Sequence, residues 1–124
     1  MKKFVSIMNH KLTPEQINDA KSFNGETLEV VELQGELVDP NATTEEVYAQ
    51  ARRILSQLPP DTAYVNVMGD FGMTVAEVLL LKSGEYGQII PVYATTHRQA
   101  QEVKQSDGSI VKTSVFKHVK FRAY

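Results

Sequence analysis

The chain has 124 residues, 42% of them hydrophobic and 23% charged, which is the composition of one ordinary globular domain. It contains no cysteine, which excludes disulfides, thiolate zinc sites and thiol nucleophiles and is typical of a cytoplasmic protein. No apolar run approaches the ~20 residues of a membrane span, and the first residues lead into a strand-like segment instead of a signal peptide.

Charge is distributed unevenly along the chain, whose net charge is −2. Residues 1–96 hold seven Lys and Arg against thirteen Asp and Glu, a net charge of −6. Residues 97–124 hold six against two, a net charge of +4, together with two of the three histidines. We therefore predict one domain, 1–124, with a core over 1–96 and a basic C-terminal hairpin over 97–124. The hairpin is either part of an anion site or a solvated surface.

Strand and helix signals alternate along residues 1–96. Short apolar or β-branched runs bounded by turn residues predict four strands, and Pro91 places the last of them near a sheet edge or a bulge. Alternating strands and helices are typical of a parallel sheet with right-handed crossovers, so we expect an α/β, Rossmann-like fold flanked by helices. The strands are expected at residues 4–8, 27–33, 64–68 and 89–94.

The first two helices carry complete start signals. Thr13 followed by Gln16 predicts one capping box, and Thr43 followed by Glu46 predicts another. Asn24-Gly25 is expected to stop the first helix. Both helices should therefore begin at defined residues.

A third helix is expected over residues 75–82, with Thr74 and Glu77 interpreted as its capping box. This segment is apolar on nearly every side. A helix of that kind must be enclosed, either by the sheet and its neighbours or by a partner subunit.

The end of the chain predicts a β-hairpin that turns at Asp107-Gly108. Apolar and polar residues alternate along its return arm. One face is therefore expected to be apolar and the other to be basic and aromatic. The second face should carry Phe116, His118, Lys120, Arg122 and Tyr124.

Three polar segments follow predicted strand ends: residues 9–10, 69–74 and 95–98. Ligands bind outside the carboxyl ends of parallel strands, so these segments are expected to converge on one site. In the middle segment, two glycines let a ligand approach, and the backbone N–H groups that open the next helix favour a phosphate. Asp70 complicates this interpretation unless its carboxylate turns away or bonds a ribose or base. In the simpler interpretation, Thr74 only caps its helix.

Arg98 is the natural bidentate partner for phosphate oxygens, beside the hydroxyls of Thr95 and Thr96, although this segment is also compatible with a plain polar crossover. His10 and His118 are either imidazole groups for proton transfer or hydrogen-bonded structural residues. The histidines lack metal-ligand spacing, and the chain has no Walker loop, GxSxG motif or complete dinucleotide fingerprint. The residues by themselves predict an α/β module for a nucleotide-like anion, without a metal.

Four segments together resemble the short stand-alone CRISPR-associated proteins related to CARF (CRISPR-associated Rossmann fold) domains. This family is regarded as ring nucleases of type III CRISPR systems. The matching segments extend over most of the chain, although residues 34–62 carry nothing diagnostic. They are residues 9–16 (NHKLTPEQ), 69–74 (GDFGMT), 91–98 (PVYATTHR) and 116–124 (FKHVKFRAY).

The resemblance implies a homodimer that binds cyclic oligoadenylate, with cyclic tetra-adenylate favoured, across a two-fold axis. It implies metal-independent cleavage, without a cofactor, into linear diadenylates that carry 2′,3′-cyclic phosphate ends. A non-catalytic sensor or sponge with the same pocket is the alternative. A small structural or interaction protein whose basic hairpin contacts nucleic acid or a partner is a third interpretation.

Positions on the predicted ligand edge then suggest roles for individual residues. His10 is expected to transfer a proton and Arg98 and Thr96 to stabilise the phosphate, with His118 in reserve. The N–H groups of residues 72–74 are expected to act as further donors. The expected ligand contacts are Asn9, His10, Gly69, Asp70, Phe71, Gly72, Met73, Thr74, Thr95, Thr96, Arg98, Lys120 and Arg122.

Overall fold

The computed structural model describes residues 1–124 and consists of one five-stranded sheet with helices on both faces. The strand order is β2-β1-β3-β4-β5, in which β5 alone is antiparallel to its neighbour. The predicted α/β, Rossmann-like fold with a C-terminal hairpin is confirmed. The strands are β1 (Lys3–Met8), β2 (Glu29–Gln34), β3 (Thr62–Val67), β4 (Ile90–Lys104) and β5 (Ile110–Ala123), and the helices are α1 (Pro14–Lys21), α2 (Thr44–Leu55) and α3 (Phe71–Lys82).

The alternation of side chains along β1 separates two apolar cores. Val5 and Ile7 face α2 and α3, whereas Phe4 and Met8 face α1. One helix therefore covers one face of the sheet and two helices cover the other. None of the helices is long and apolar enough to cross a membrane.

The first two helices begin where their capping residues predict. The Thr13 hydroxyl accepts the Gln16 N–H while the Gln16 side chain accepts the Thr13 N–H, and Thr43 and Glu46 repeat the arrangement. These bonds satisfy backbone donors that a helix start leaves unpaired, so each start is fixed locally. A short 3₁₀ turn, Phe23–Gly25, follows α1.

The predicted start of α3 is wrong. The helix begins at Phe71, four residues earlier than expected, because Asp70 is its N-cap and accepts the Met73 N–H at 3.0 Å. Thr74 lies inside the first turn, and its N–H donates to the Asp70 carbonyl oxygen at 2.8 Å. Thr74 and Glu77 therefore do not form a capping box.

The apolar helix α3 is also less enclosed than expected. Val75 is 54% exposed and Leu79 is 53% exposed, one turn apart on the outer face of the helix. The sheet and its neighbours therefore do not cover this face of α3.

Of the two alternatives predicted for the strand that contains Pro91, the sheet edge is wrong, because β4 lies between β3 and β5, whereas a bulge is present in the β4–β5 pair between Thr95 and Thr96. Pro91 is the second residue of β4, at the strand start, where a missing N–H is tolerated. The strand pairs with β3 only as far as Val92 but with β5 as far as Lys104. Residues 95–98 therefore lie within a strand that extends past the sheet edge, and do not follow a strand end.

A β-bulge at Val119 changes the faces of the hairpin. Thr95 pairs with Lys120 but Thr96 pairs with His118, so Val119 has no partner on β4. His118 consequently lies on the same face as Phe121, and the strict alternation predicted for the return arm is wrong there. The turn at Asp107-Gly108 is confirmed by a β4–β5 pair that closes on either side of it.

Candidate functional site

The strand order reverses between β1 and β3, since the chain moves to β2 on one side of β1 and then to β3 on the other. In open α/β sheets, ligands bind in the crevice at such a switch point, outside the strand carboxyl ends. Asn9 and His10 follow β1, and Gly69 and Asp70 follow β3. We call the space between these two strand ends the switch crevice.

On the α1 side, the switch crevice opens into a cleft of about 520 Å³. Asn9, His10, Gly69 and Thr96 line it, so the structure brings together four of the residues singled out in the sequence. Thr96 reaches the cleft because β4 extends past the end of β3. Phe116, its diagonal neighbour on β5, adds an exposed aromatic ring that was not among the expected ligand contacts.

Arg98 does not line this cleft but is adjacent to two residues that do, since it lies two residues along β4 from Thr96 and opposite Phe116. Its Nε–H donates to Ser114 Oγ at 3.0 Å, which leaves the terminal guanidinium N–H groups for other acceptors. Thr95 has a structural role, because its hydroxyl donates to the Lys120 carbonyl and accepts the Lys120 N–H at the bulge.

Other expected contacts lie elsewhere on the hairpin. Lys120 and Arg122 pair with Thr95 and Tyr93, on the face of the sheet away from the cleft. The Arg122 guanidinium donates to the Tyr93 hydroxyl and lies 5.0 Å from the centre of that ring. The structure does not bring these two cations to the cleft of their own chain.

His118 ties the hairpin to α1. Its Nε2 lies 2.8 Å from Asp19 Oδ2, its side chain is only 5% exposed, and its ring packs on Phe121. The other ring nitrogen, Nδ1, is buried without a partner. His118 is not among the residues that line the cleft, so its geometry is that of a structural contact.

Two N–H groups of the expected anion cradle at the start of α3 already have acceptors within the chain. The Asp70 carboxylate accepts the Met73 N–H and the Asp70 carbonyl accepts the Thr74 N–H. Phe71 is 91% exposed and Met73 is buried in the core. Asp70 therefore takes two of the expected donors, the Met73 and Thr74 N–H groups, whereas the Gly72 N–H remains a predicted phosphate donor.

On the α2–α3 side, the switch crevice narrows to a pocket of about 20 Å³, which we call the inner pocket. Glu77 of α3 lines it and is only 3% exposed, and its Oε2 atom is buried without a hydrogen-bond partner. Burial, and to a smaller extent the nearby Glu36 carboxylate, raises the pKa of Glu77 to about 7. In the sequence, the sign of this buried acid was a single carboxylate within an apolar helix. The capping-box interpretation instead assigned Glu77 to the start of the helix.

Gly35 permits the close approach that forms the inner pocket. A Cβ atom at this position would lie 2.6 Å from Asn9 Oδ1 and 3.0 Å from the Met8 carbonyl carbon. The Asn9 side chain therefore lies directly over the Gly35 backbone, beside Glu36. Met8, Asn9, Met68 and Gly69 line both the cleft and the inner pocket, so these residues separate the two spaces.

The family model described as the uncharacterized protein MJ1673 family matches residues 2–122, which is nearly the whole chain. The chain belongs to the MJ1673 family. The uncharacterized protein MJ1673 of Methanocaldococcus jannaschii is 33% identical over 131 aligned residues, covering 100% of this chain and 98% of that relative. Family membership therefore covers the cleft, the inner pocket and the hairpin together. No solved structure matches the chain.

Proposed function

We propose that this member of the MJ1673 family is a cytoplasmic ring nuclease that cleaves cyclic oligoadenylate, with cyclic tetra-adenylate favoured, and so switches off type III CRISPR signalling. The products would be linear diadenylates with 2′,3′-cyclic phosphate ends. One observation carries the proposal: Asn9, His10 and Thr96 line a single cleft at the carboxyl ends of β1 and β3, and Arg98 lies two residues along β4 from Thr96. The resemblance of four sequence segments to CARF-related ring nucleases supports it.

The dimensions of the cleft suit one part of such a ring. Small-molecule sites generally occupy ~300–1,000 Å³, and this cleft has about 520 Å³. A four-nucleotide ring is two-fold symmetric, so two copies of the chain facing each other would each accept half of it. Phe116 supplies an aromatic face on which an adenine can stack.

The side chains of the cleft fit a reaction in which a ribose 2′-OH attacks the neighbouring phosphorus. Thr96 and the terminal N–H groups of Arg98 are donors for the charge that develops on the phosphate oxygens. The exposed His10 imidazole at the mouth of the cleft can accept the 2′-OH proton. Holding the 2′-OH in line with the breaking P–O bond is mainly a positioning task, which Asn9 and the backbone at Gly69 can share.

Two features of the surface support a homodimer. Phe71, Val75 and Leu79 form an exposed apolar stripe along α3, at successive turns of the helix. The hairpin carries a net charge of +4 and the rest of the chain −6, so two copies are complementary in charge. In a dimer, the hairpin cations that point away from their own cleft can reach the partner's ligand.

The alternative is a sponge that binds the ring without cleaving it. The capped start of α3 favours this alternative, because Asp70 takes backbone donors that would otherwise stabilise a phosphate. A sponge would retain the contacts of His10, Thr96 and Arg98 and lack turnover.

The two functions are separated by incubating the protein with cyclic tetra-adenylate in EDTA and analysing bound and free nucleotide by chromatography. Linear diadenylate supports the nuclease, retention of the intact ring supports the sponge, and no binding contradicts both. We expect Arg98→Ala to weaken binding about tenfold and His10→Ala to slow cleavage with binding largely kept. His97→Ala is the matched control, since His97 is an exposed histidine on the other side of the hairpin strand.

A further inference from the structure

Glu77 is a buried acid with no structural partner. Its Oε2 atom is unpaired although its side chain is 3% exposed, and burying an unpaired carboxylate is costly. An apolar side chain at this position of α3 would pack into the hydrophobic core without that cost. Buried polar groups left without partners are therefore candidates for a role in the chemistry of the crevice they face.

The inner pocket lies between Glu77 and residues that also line the cleft. Its volume of about 20 Å³ is room for one water molecule, which requires roughly 10–15 Å³. The polar side chains that line that space are those of Glu77, Glu36, Asp70, Asn9 and Thr74. A water held there would contact Glu77 on one side and the Asn9–Gly69 boundary of the cleft on the other.

We propose that Glu77 enters the reaction as a neutral carboxylic acid and supplies, through one water in the inner pocket, the proton that the departing 5′-oxygen requires. This inference rests on the proposed function. The raised pKa of Glu77, about 7, agrees with it because a substantial fraction of the acid form is present at neutral pH.

The proton and bond changes balance. The 2′-oxygen forms a bond to phosphorus and gives its proton to the His10 imidazole, while the bond between phosphorus and the 5′-oxygen breaks. The 5′-oxygen takes a proton from the water, which takes one from the Glu77 carboxyl. Exchange with solvent then reprotonates Glu77 and deprotonates His10. Glu77 does not touch the substrate in this step. It positions the water and holds the proton that the water passes to the 5′-oxygen.

The charged and titratable groups around Glu77 predict how it responds to substitution. Glu36, after β2, raises its pKa, and Asp70 caps the start of the same helix. Burial, then Tyr93 and to the smallest extent Glu77, raise the pKa of the Tyr124 hydroxyl, which follows β5. Replacing Glu36 by Gln removes one negative charge, so the pKa of Glu77 should fall.

The test is the pH dependence of kcat for cyclic tetra-adenylate cleavage in four proteins: wild type, Glu77→Gln, Glu36→Gln and the control Glu45→Gln on the exposed face of α2. We expect wild-type kcat to decline above about pH 7. Glu77→Gln should lower kcat about 100-fold at pH 6 and abolish the decline. Glu36→Gln should move the decline to lower pH, and Glu45→Gln should match the wild type.

The outcomes distinguish this inference from the proposed function. A wild-type protein that cleaves, with an identical profile in Glu77→Gln, overturns the role of Glu77 and leaves the nuclease standing. A wild-type protein that does not cleave overturns both. Carbon-13 NMR of labelled glutamate in the wild-type chain measures the pKa of the Glu77 carboxyl, and this measurement depends neither on turnover nor on the folding of a variant. A Glu77 carboxyl that titrates near 4.5 in the folded chain overturns the inference.

Discussion

Asp70 stabilises the start of α3, because its carboxylate accepts the Met73 N–H. We predict that Asp70→Ala lowers the free energy of unfolding by about 1 kcal/mol, the usual contribution of an N-cap. Thr74→Ala is the matched control: Thr74 lies within the first turn, where alanine has the higher helix propensity, so this change should not destabilise the chain. Urea denaturation monitored by circular dichroism measures both changes. A larger loss in Thr74→Ala than in Asp70→Ala would contradict the assignment of the cap.

Glu77 makes the stability of the fold depend on pH. Folding raises its pKa from 4.5 to about 7, so the folded chain binds the proton more tightly than the unfolded chain. The stabilising contribution of the protonated form is complete below about pH 4.5 and is lost as pH rises through about 7. Well above pH 7, the loss in the free energy of unfolding amounts to about 3 kcal/mol.

We therefore predict that Glu77→Gln is more stable relative to the wild type at pH 8.5 than at pH 5. Denaturant unfolding of both proteins at the two pH values measures the difference. A stability difference that stays the same across this range would contradict the raised pKa of Glu77 in the folded chain.

Residues whose partners are close in sequence were predictable, and residues whose environment is formed by distant segments were not. Thr13 and Thr43 cap helices through residues three positions away, so the sequence contains the whole interaction. Glu77 of α3 is buried where this helix meets β1 and the segment that follows β2. The only local sign of this burial was the position of the glutamate within an apolar helix. The cap at Asp70 could have been predicted from the sequence, because Asp is a favoured N-cap residue and lies three positions before Met73.

At the scale of secondary structure, the hairpin shows how residues from three polar segments line one cleft, although the reason given for the third segment was wrong. Residues 95–98 do not follow a strand end, yet Thr96 reaches the cleft because β4 extends beyond β3. The bulge at Val119 depends on how two distant strands align, and nothing in the sequence of β5 alone indicates it. That bulge turns His118 toward α1.

The contact between α1 and β5 depends on the pair formed by His118 and Asp19. We predict that His118→Ala and Asp19→Ala each destabilise the chain and that a double-mutant cycle gives a coupling free energy of about 1 kcal/mol. His118→Ala should keep cleavage within about twofold of the wild type under conditions where it is folded. A 100-fold loss of cleavage in a folded His118→Ala protein would instead assign this histidine to the chemistry.

At the scale of the whole molecule, the exposed stripe on α3 and the opposite charges of hairpin and body predict self-association. We expect light scattering after gel filtration to give twice the 13.9 kDa of one chain. Val75→Glu should give monomers, because it places a charge in the apolar stripe. Ala49→Glu adds the same charge to the exposed surface of α2 and should leave the dimer intact. A monomeric wild-type protein at micromolar concentration would contradict this part of the account.

The central claim is that the cleft at the ends of β1 and β3 opens cyclic tetra-adenylate. Phosphorus NMR of the ring incubated with the protein in EDTA tests it most directly, because a 2′,3′-cyclic phosphate resonates apart from internal phosphodiesters. We predict that this signal grows with the wild type and with His97→Ala and grows about 100-fold more slowly with His10→Ala. An unchanged spectrum of the intact ring, with no binding to the protein, would contradict the account.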